Sequence, residues 1–138
     1  MSYAGDLTPT EAWAFLLENP DAVLVDVRTV AEWETVGIPD LSSLERLVVF
    51  DEWVRAPAGT PNPTFLAELE EAGLAAGGGR PVVFLCRAGQ RSIGAATAAT
   101  AAGLGPAYNV LAGFEGVPDA SGRRSGGWKA ESLPWGTR

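Results

Sequence analysis

Histidine is absent from the 138 residues of this chain, and cysteine occurs once, at Cys86. The first absence removes the side chain that most often serves as general base or metal ligand near neutral pH. The second rules out an intramolecular disulfide, which fits a reducing compartment. With no histidine and one thiol, a zinc site would need carboxylates almost alone, so no metal or other cofactor is expected. Positive charge is also short: ten Lys and Arg stand against seventeen Asp and Glu, a net charge of -7. Such a surface repels phosphate backbones and anionic lipid, and no basic patch is large enough to reverse this. Arg123 and Arg124, in a Gly/Ser-rich stretch, read as a solvated pair. Nucleic-acid and membrane partners are therefore not expected. No stretch has the length of a membrane span, and Met1 to Asp6 lacks the basic and apolar regions of a secretion signal. The expected location is the cytoplasm.

What the chain does have is ordinary globular composition, 46% hydrophobic and 20% charged, enough for one compact domain. Thr8, Pro9 and Glu11 form a capping box with proline at the first helical position. Ala12, Phe15 and Leu16 then recur at helical spacing until Asn19-Pro20. Val23 to Val27 reads as a buried strand, Arg28 to Val36 as a short helix stopped at Gly37, and Leu47 to Phe50 as a second strand. Arg55 to Asn62 is a Pro-rich loop. Asn62-Pro63 opens a helix whose inward face is Phe65, Leu66 and Leu69, ending near Gly73. After a Gly-rich connector, Val82 to Leu85 is a third strand, Ser92 to Ala102 a small-residue helix, and Tyr108 to Leu111 a final strand. Strands alternating with helices imply a parallel α/β sheet, whose ligands sit beyond the carboxyl ends of its strands.

Cys86 falls at such an end, followed by Arg87-Ala88-Gly89-Gln90-Arg91-Ser92. A lone cysteine after an apolar run can be a buried filler, since cysteine is among the most buried residue types. Two arginines within five residues are awkward neighbours for a filler. A turn between strand and helix can point successive amides inward, and the helix adds the positive end of its dipole. With Arg87 and Arg91 nearby, these favour the thiolate, which is the nucleophile, and no general base is then required. Gly89 supplies the backbone freedom of a tight loop. Four residues separate Cys86 from Arg91, one fewer than in a tyrosine-phosphatase loop, with Ser92 at the phosphatase arginine position. A smaller ring suits a sulfur carried on Cys86 better than a tetrahedral oxyanion.

The chain resembles the single-domain rhodaneses, a sulfurtransferase family. The likeness runs through Asp26-Val27-Arg28, Glu32, Gly37-Ile38-Pro39, Cys86 to Ser92, Asn109-Val110-Leu111, Gly113 and Gly116, and Gly127 to Trp135. The family often carries Gly-His-Ile-Pro where this chain has Gly37-Ile38-Pro39; that histidine is not catalytic, so its loss bears on packing. The resemblance implies one domain over residues 1–138, with 117–138 a Gly/Pro-rich tail docked on it. It implies an α/β fold with a parallel central sheet of about five strands, flanked by helices on both faces. It also implies that Cys86 takes sulfur from a small anionic donor such as thiosulfate and passes the persulfide sulfur to cyanide or a thiol. The amides from Arg87 to Arg91 would hold the charged sulfur, and Arg87 and Arg91 would attract the donor.

Three alternatives stay open at this level. The chain could be a sulfur carrier serving a protein acceptor, a non-catalytic module that binds a partner protein, or, against the short loop, a phosphatase or arsenate reductase. Either arginine could simply pair with an acidic neighbour. Asp26 and Arg28 are read as a buried ion pair or cap near the site, with Glu32 a possible third member. Trp53 could line the pocket or cover an edge of the core, while Phe114, Trp128 and Trp135 would fasten the tail.

Overall fold

The computed structural model describes residues 3–138; Met1 and Ser2, part of the segment read for a secretion signal, lie outside them. In chain order the elements are β1 (Gly5–Leu7), α1 (Pro9–Glu18), β2 (Val23–Asp26), α2 (Val30–Thr35), β3 (Ile38–Pro39), a 3-10 turn (Ser42–Leu44), β4 (Val49–Phe50), β5 (Val54–Arg55), β6 (Thr60–Pro61), α3 (Phe65–Glu71), β7 (Val82–Leu85), α4 (Arg91–Ala101), β8 (Ala107–Val110), β9 (Val117–Pro118), β10 (Arg124–Ser125) and β11 (Trp135–Gly136). Five of these strands form one parallel sheet in the order β1-β8-β7-β2-β4. Helices cover both faces, as expected.

Side-chain parity divides the core. Val23, Val25 and Val27 join Val82, Phe84 and Cys86 on one face, under Phe65 and Leu69 of α3 and Ala95, Ala96 and Ala99 of α4. The alanines let α4 lie close to the sheet. Leu24, Val83, Leu85 and Val110 face the other way, onto Ala12 and Leu16 of α1, with Phe114 and Trp128. Each interior strand therefore buries both faces, which accounts for the near-continuous apolar runs.

The strand order reverses between β2 and β7. The chain leaves β2 for β4 on one side, and leaves β7 for β8 on the other. Loops after neighbouring strands diverge at such a switch point and open a crevice. Here those loops begin with Val27-Arg28 and with Cys86, and Val27 N–H donates to the Leu85 carbonyl at 2.8 Å, so they start level.

Local signals held where they were specific. Thr8 Oγ1 accepts from Glu11 N at 3.1 Å and Glu11 Oε1 from Thr8 N at 2.9 Å, so α1 starts on its capping box. Several expectations change. The sequence reading identified four strands of the sheet and missed the edge strand β1. Leu66 does not face inward; it is 39% exposed, and Phe65 and Leu69 carry the contact. The second strand shrinks to Val49–Phe50, and Leu47 is 90% exposed. Residues 55–62 hold all but the first residue of a short hairpin, β5 with β6. The tail packs through Trp128, which is buried against Trp13 and donates from Nε1 to the Pro134 carbonyl at 2.7 Å. β11 pairs antiparallel with β3. No helix among the described residues is long and apolar enough to cross a membrane.

Candidate active site

Cys86 is 1% exposed and has two environments. Toward the sheet it meets the apolar cluster of Val27, Phe84 and Ala95. Toward the loop its Sγ accepts from the Gly89 amide at 3.1 Å and lies 3.1 Å from Ser92 Oγ. The cysteine is therefore buried as a filler would be, yet engaged by polar groups of the loop. The expected ring of amides is only partly turned onto Sγ. Gly89 alone donates to it, and among the described residues the amides of Arg87, Ala88, Gln90 and Arg91 have no acceptor within the chain. They lie in the loop that leads into α4.

Two glycines shape the loop. Gly89 sits at φ +91°, a left-handed conformation costly for other residues, and a side chain there would press on the backbone of Val110 and Ala112. Gly113, at φ +57°, lies so close beneath the loop that a Cβ would collide with the backbone of Cys86 and Arg87. The turn it belongs to clamps the loop from below: Phe114 N–H donates to the Cys86 carbonyl at 2.8 Å and Glu115 N–H to that of Arg87 at 2.9 Å.

Both loop arginines are already paired. Arg87, with its side chain 48% exposed, meets Glu115 at 2.9 Å. Arg91 makes a two-pronged contact with Glu32, at 2.8 and 2.9 Å. Burial pushes the Glu32 carboxyl up, but the Arg91 guanidinium and Thr29 outweigh it and hold Glu32 below the usual carboxylate range. Arg91 is raised in turn, chiefly by Glu32, with smaller contributions from Cys86 and Asp26. Glu32 also closes a second capping box with Thr29 at the start of α2. It therefore joins Arg91 rather than the Asp26–Arg28 pair.

Asp26 and Arg28 are fully buried and form the expected ion pair. Arg28 Nε donates to Asp26 Oδ1 at 3.0 Å, and Nη2 to Oδ2 at 2.7 Å and to the Gly37 carbonyl at 2.8 Å. The guanidinium lies 4.2 Å above the Phe114 ring. Trp53 packs edge-on against Phe65 at 5.0 Å and against Gly94 of α4, covering the core edge beside Cys86. Ala88 is half-buried and Gln90 exposed. A hollow of about 360 Å³ lined by Ile38, Leu41, Leu47 and Phe50 lies along the β4 edge and includes none of the loop residues.

The model of the rhodanese-like domain matches residues 8–120 of the chain, a span that contains the loop and every residue just described. The chain belongs to the rhodanese-like family. It is 37% identical over 130 residues to the uncharacterized protein RC0915 of Rickettsia conorii, covering 94% of this chain and 95% of that one. It also resembles the crystal structure of Rv0390 from M. tuberculosis, with 57% identity, a TM-score of 0.88 and 99% of each chain covered. The polysulfide-sulfur transferase homodimer of Wolinella succinogenes shares the fold, with a TM-score of 0.63 and 24% identity over 99% of this chain and 80% of that one.

Two residues of this rhodanese-like site had no role assigned from sequence, although Asn109 stood within the family likeness. Asn109, buried in β8, contacts Ser92 Oγ through Oδ1; its Nδ2 donates to the Gly89 carbonyl at 3.3 Å and to Asp6 Oδ1 at 3.1 Å. Asp6 comes from β1, the strand that was not recognised. An asparagine inside an otherwise apolar strand was the available signal, because a buried amide must find partners.

Proposed function

We propose that the chain is a sulfurtransferase that carries sulfane sulfur as a persulfide on Cys86. The observation that carries this reading is the Gly89 amide bonded to Cys86 Sγ in a loop whose other amides, those of Arg87, Ala88, Gln90 and Arg91, have no acceptor among the described residues. In the first half-reaction the Cys86 thiolate attacks the outer sulfur of thiosulfate. The sulfur–sulfur bond of the donor breaks, sulfite leaves with the electron pair, and the persulfide keeps one negative charge on its terminal sulfur. In the second, cyanide or a thiolate attacks that terminal sulfur and the Cys86 thiolate is returned. Each step is a displacement at sulfur and needs no external oxidant. The amides and the helix dipole lower the energy of the charged terminal sulfur.

Steady-state formation of thiocyanate from thiosulfate and cyanide tests the proposal. Turnover that disappears in Cys86→Ser supports it; turnover retained in that variant, or absent from the intact protein, removes the small-molecule reaction. A sulfur carrier serving a protein acceptor is favoured by one observation: Glu115 and Glu32 already neutralise the arginines that would draw in a free anion. Loading of Cys86 without thiocyanate formation is the outcome that selects it.

A further inference from the structure

Each arginine around the loop is cancelled by a carboxylate. Arg87 meets Glu115, Arg91 meets Glu32 and Arg28 meets Asp26, while Asp6 behind Asn109 and Glu52 beside Val30 have no basic partner among the described residues. In the Arg91–Glu32 pair both partners are held in place. Both Nη atoms of Arg91 are engaged by Glu32, at 2.8 and 2.9 Å, and Glu32 Oε1 also accepts from Thr29 N at 3.2 Å and Thr29 Oγ1 at 3.0 Å. The forked edge of Arg91 therefore meets an internal carboxylate, and a donor anion cannot take that edge without displacing Glu32. Glu32 first, and Cys86 after it, raise the Arg91 guanidinium, which puts the pair within electrostatic reach of the thiol. With a net charge of -7, the chain as a whole adds no long-range attraction for anions.

We infer that Glu32 is a specificity-determining residue that makes Cys86 discriminate between sulfur donors by charge, favouring a singly charged thiosulfonate over the doubly charged thiosulfate. The inference rests on the persulfide reading of Cys86. A thiosulfonate, R–SO2–S−, differs from thiosulfate by an organic group in place of one charged oxygen. The Cys86 thiolate attacks its outer sulfur, the sulfur–sulfur bond breaks, a sulfinate leaves with the electron pair, and the persulfide keeps one negative charge. The transferred sulfur is the same in both donors, so the loop amides do not tell them apart. The leaving groups differ: sulfite carries two charges and a sulfinate one, and Arg91, already neutralised by Glu32, offsets neither.

Glu32→Gln keeps the shape of the side chain and the capping box with Thr29, which glutamine also closes, and leaves Arg91 with its full charge. The test is the rate at which Cys86 gains one sulfur, followed by intact mass at neutral pH and low salt, with thiosulfate and with methanethiosulfonate. Folding is checked by circular dichroism. In the variant thiosulfate should load about tenfold faster and methanethiosulfonate about threefold faster, because one protein charge is removed against two donor charges or one. The quotient of the two rates cancels any change in the thiol itself. At about 0.5 M sodium chloride the difference should shrink. Equal effects on the two donors, or a difference that survives salt, overturn the inference. Arg91→Gln leaves Glu32 unopposed and should move the quotient the other way by a similar factor; if Glu32→Gln does not fold, a parental quotient in this second variant overturns the inference. Iodoacetate and iodoacetamide also differ by one charge, and their rate quotient at Cys86 should rise about threefold in Glu32→Gln whether or not sulfur is transferred. Loading by neither donor sinks the proposed reaction, and the alkylation quotient then decides the charge discrimination by itself.

Discussion

Asp51 is the carboxylate whose environment is least hospitable to its charge. It is buried at the end of β4; its Oδ1 receives only a 3.4 Å contact from Asn62 Nδ2, and its Oδ2 has no donor among the described residues. Beside it, the Glu68 carboxylate is satisfied by Asn62 Nδ2 at 2.7 Å and Thr64 Oγ1 at 3.1 Å, and it is held below its ordinary range. The pair is relieved when Asp51 keeps its proton and donates to Glu68. Burial first, then Glu68, accordingly push the Asp51 carboxyl up from 3.8 to about 8. The unfolded chain loses this proton near pH 4, and the folded chain keeps it to near pH 8. Between those values the folded state binds more protons, so stability falls as pH rises, by about 1.4 kcal/mol per pH unit from this group. Across the whole window the loss approaches about 5 kcal/mol. Asp51→Asn retains the shape and a donor toward Glu68 without a titrating proton. Urea unfolding followed by tryptophan fluorescence at pH 5, 6, 7 and 8 provides the comparison. The variant should gain on the parent by more than about 2 kcal/mol between pH 5 and 7. Parallel stability curves for the two proteins would refute the reasoning.

Asp26→Asn leaves the buried Arg28 guanidinium facing a neutral amide, and a loss of about 3–5 kcal/mol is expected in urea unfolding. A loss under about 1 kcal/mol would mean that the Phe114 ring and the Gly37 carbonyl suffice to hold that charge. Gly113→Ala forces a Cβ into the backbone of Cys86 and Arg87 at a left-handed φ, costing about 2–4 kcal/mol. Its alkylation rate at Cys86 should also change at a temperature where the variant is still folded by circular dichroism; an unaltered rate and melting temperature would place the loop's support elsewhere.

The parts of the fold that could be read from sequence were those fixed by neighbours along the chain. The Thr8–Glu11 box set the start of α1, and the apolar run Val82 to Leu85 placed Cys86 at the carboxyl end of a strand; that its side chain packs with the alanines of α4 came from the structure. β1 was invisible because Gly5-Asp6-Leu7 is short and has one apolar side chain; it becomes a strand by pairing with β8. Leu66 and Leu47 were misplaced because an apolar residue at plausible spacing says nothing about where the packing surface ends. The site was legible as far as the loop itself. Glu32 meets Arg91 across 59 residues and Asn109 meets Ser92 across 17, and both encounters depend on sheet order. The Thr29–Glu32 box was readable and was missed, since Glu32 was assigned to Asp26 and Arg28 instead.

The most direct test of the account is the mass of the intact protein after treatment with thiosulfate and removal of excess donor. The account predicts one added sulfur atom, mapped to Cys86, lost on addition of cyanide and absent in Cys86→Ser. An unchanged mass under conditions where Cys86 can be alkylated would contradict the claim that this loop holds a transferable sulfur.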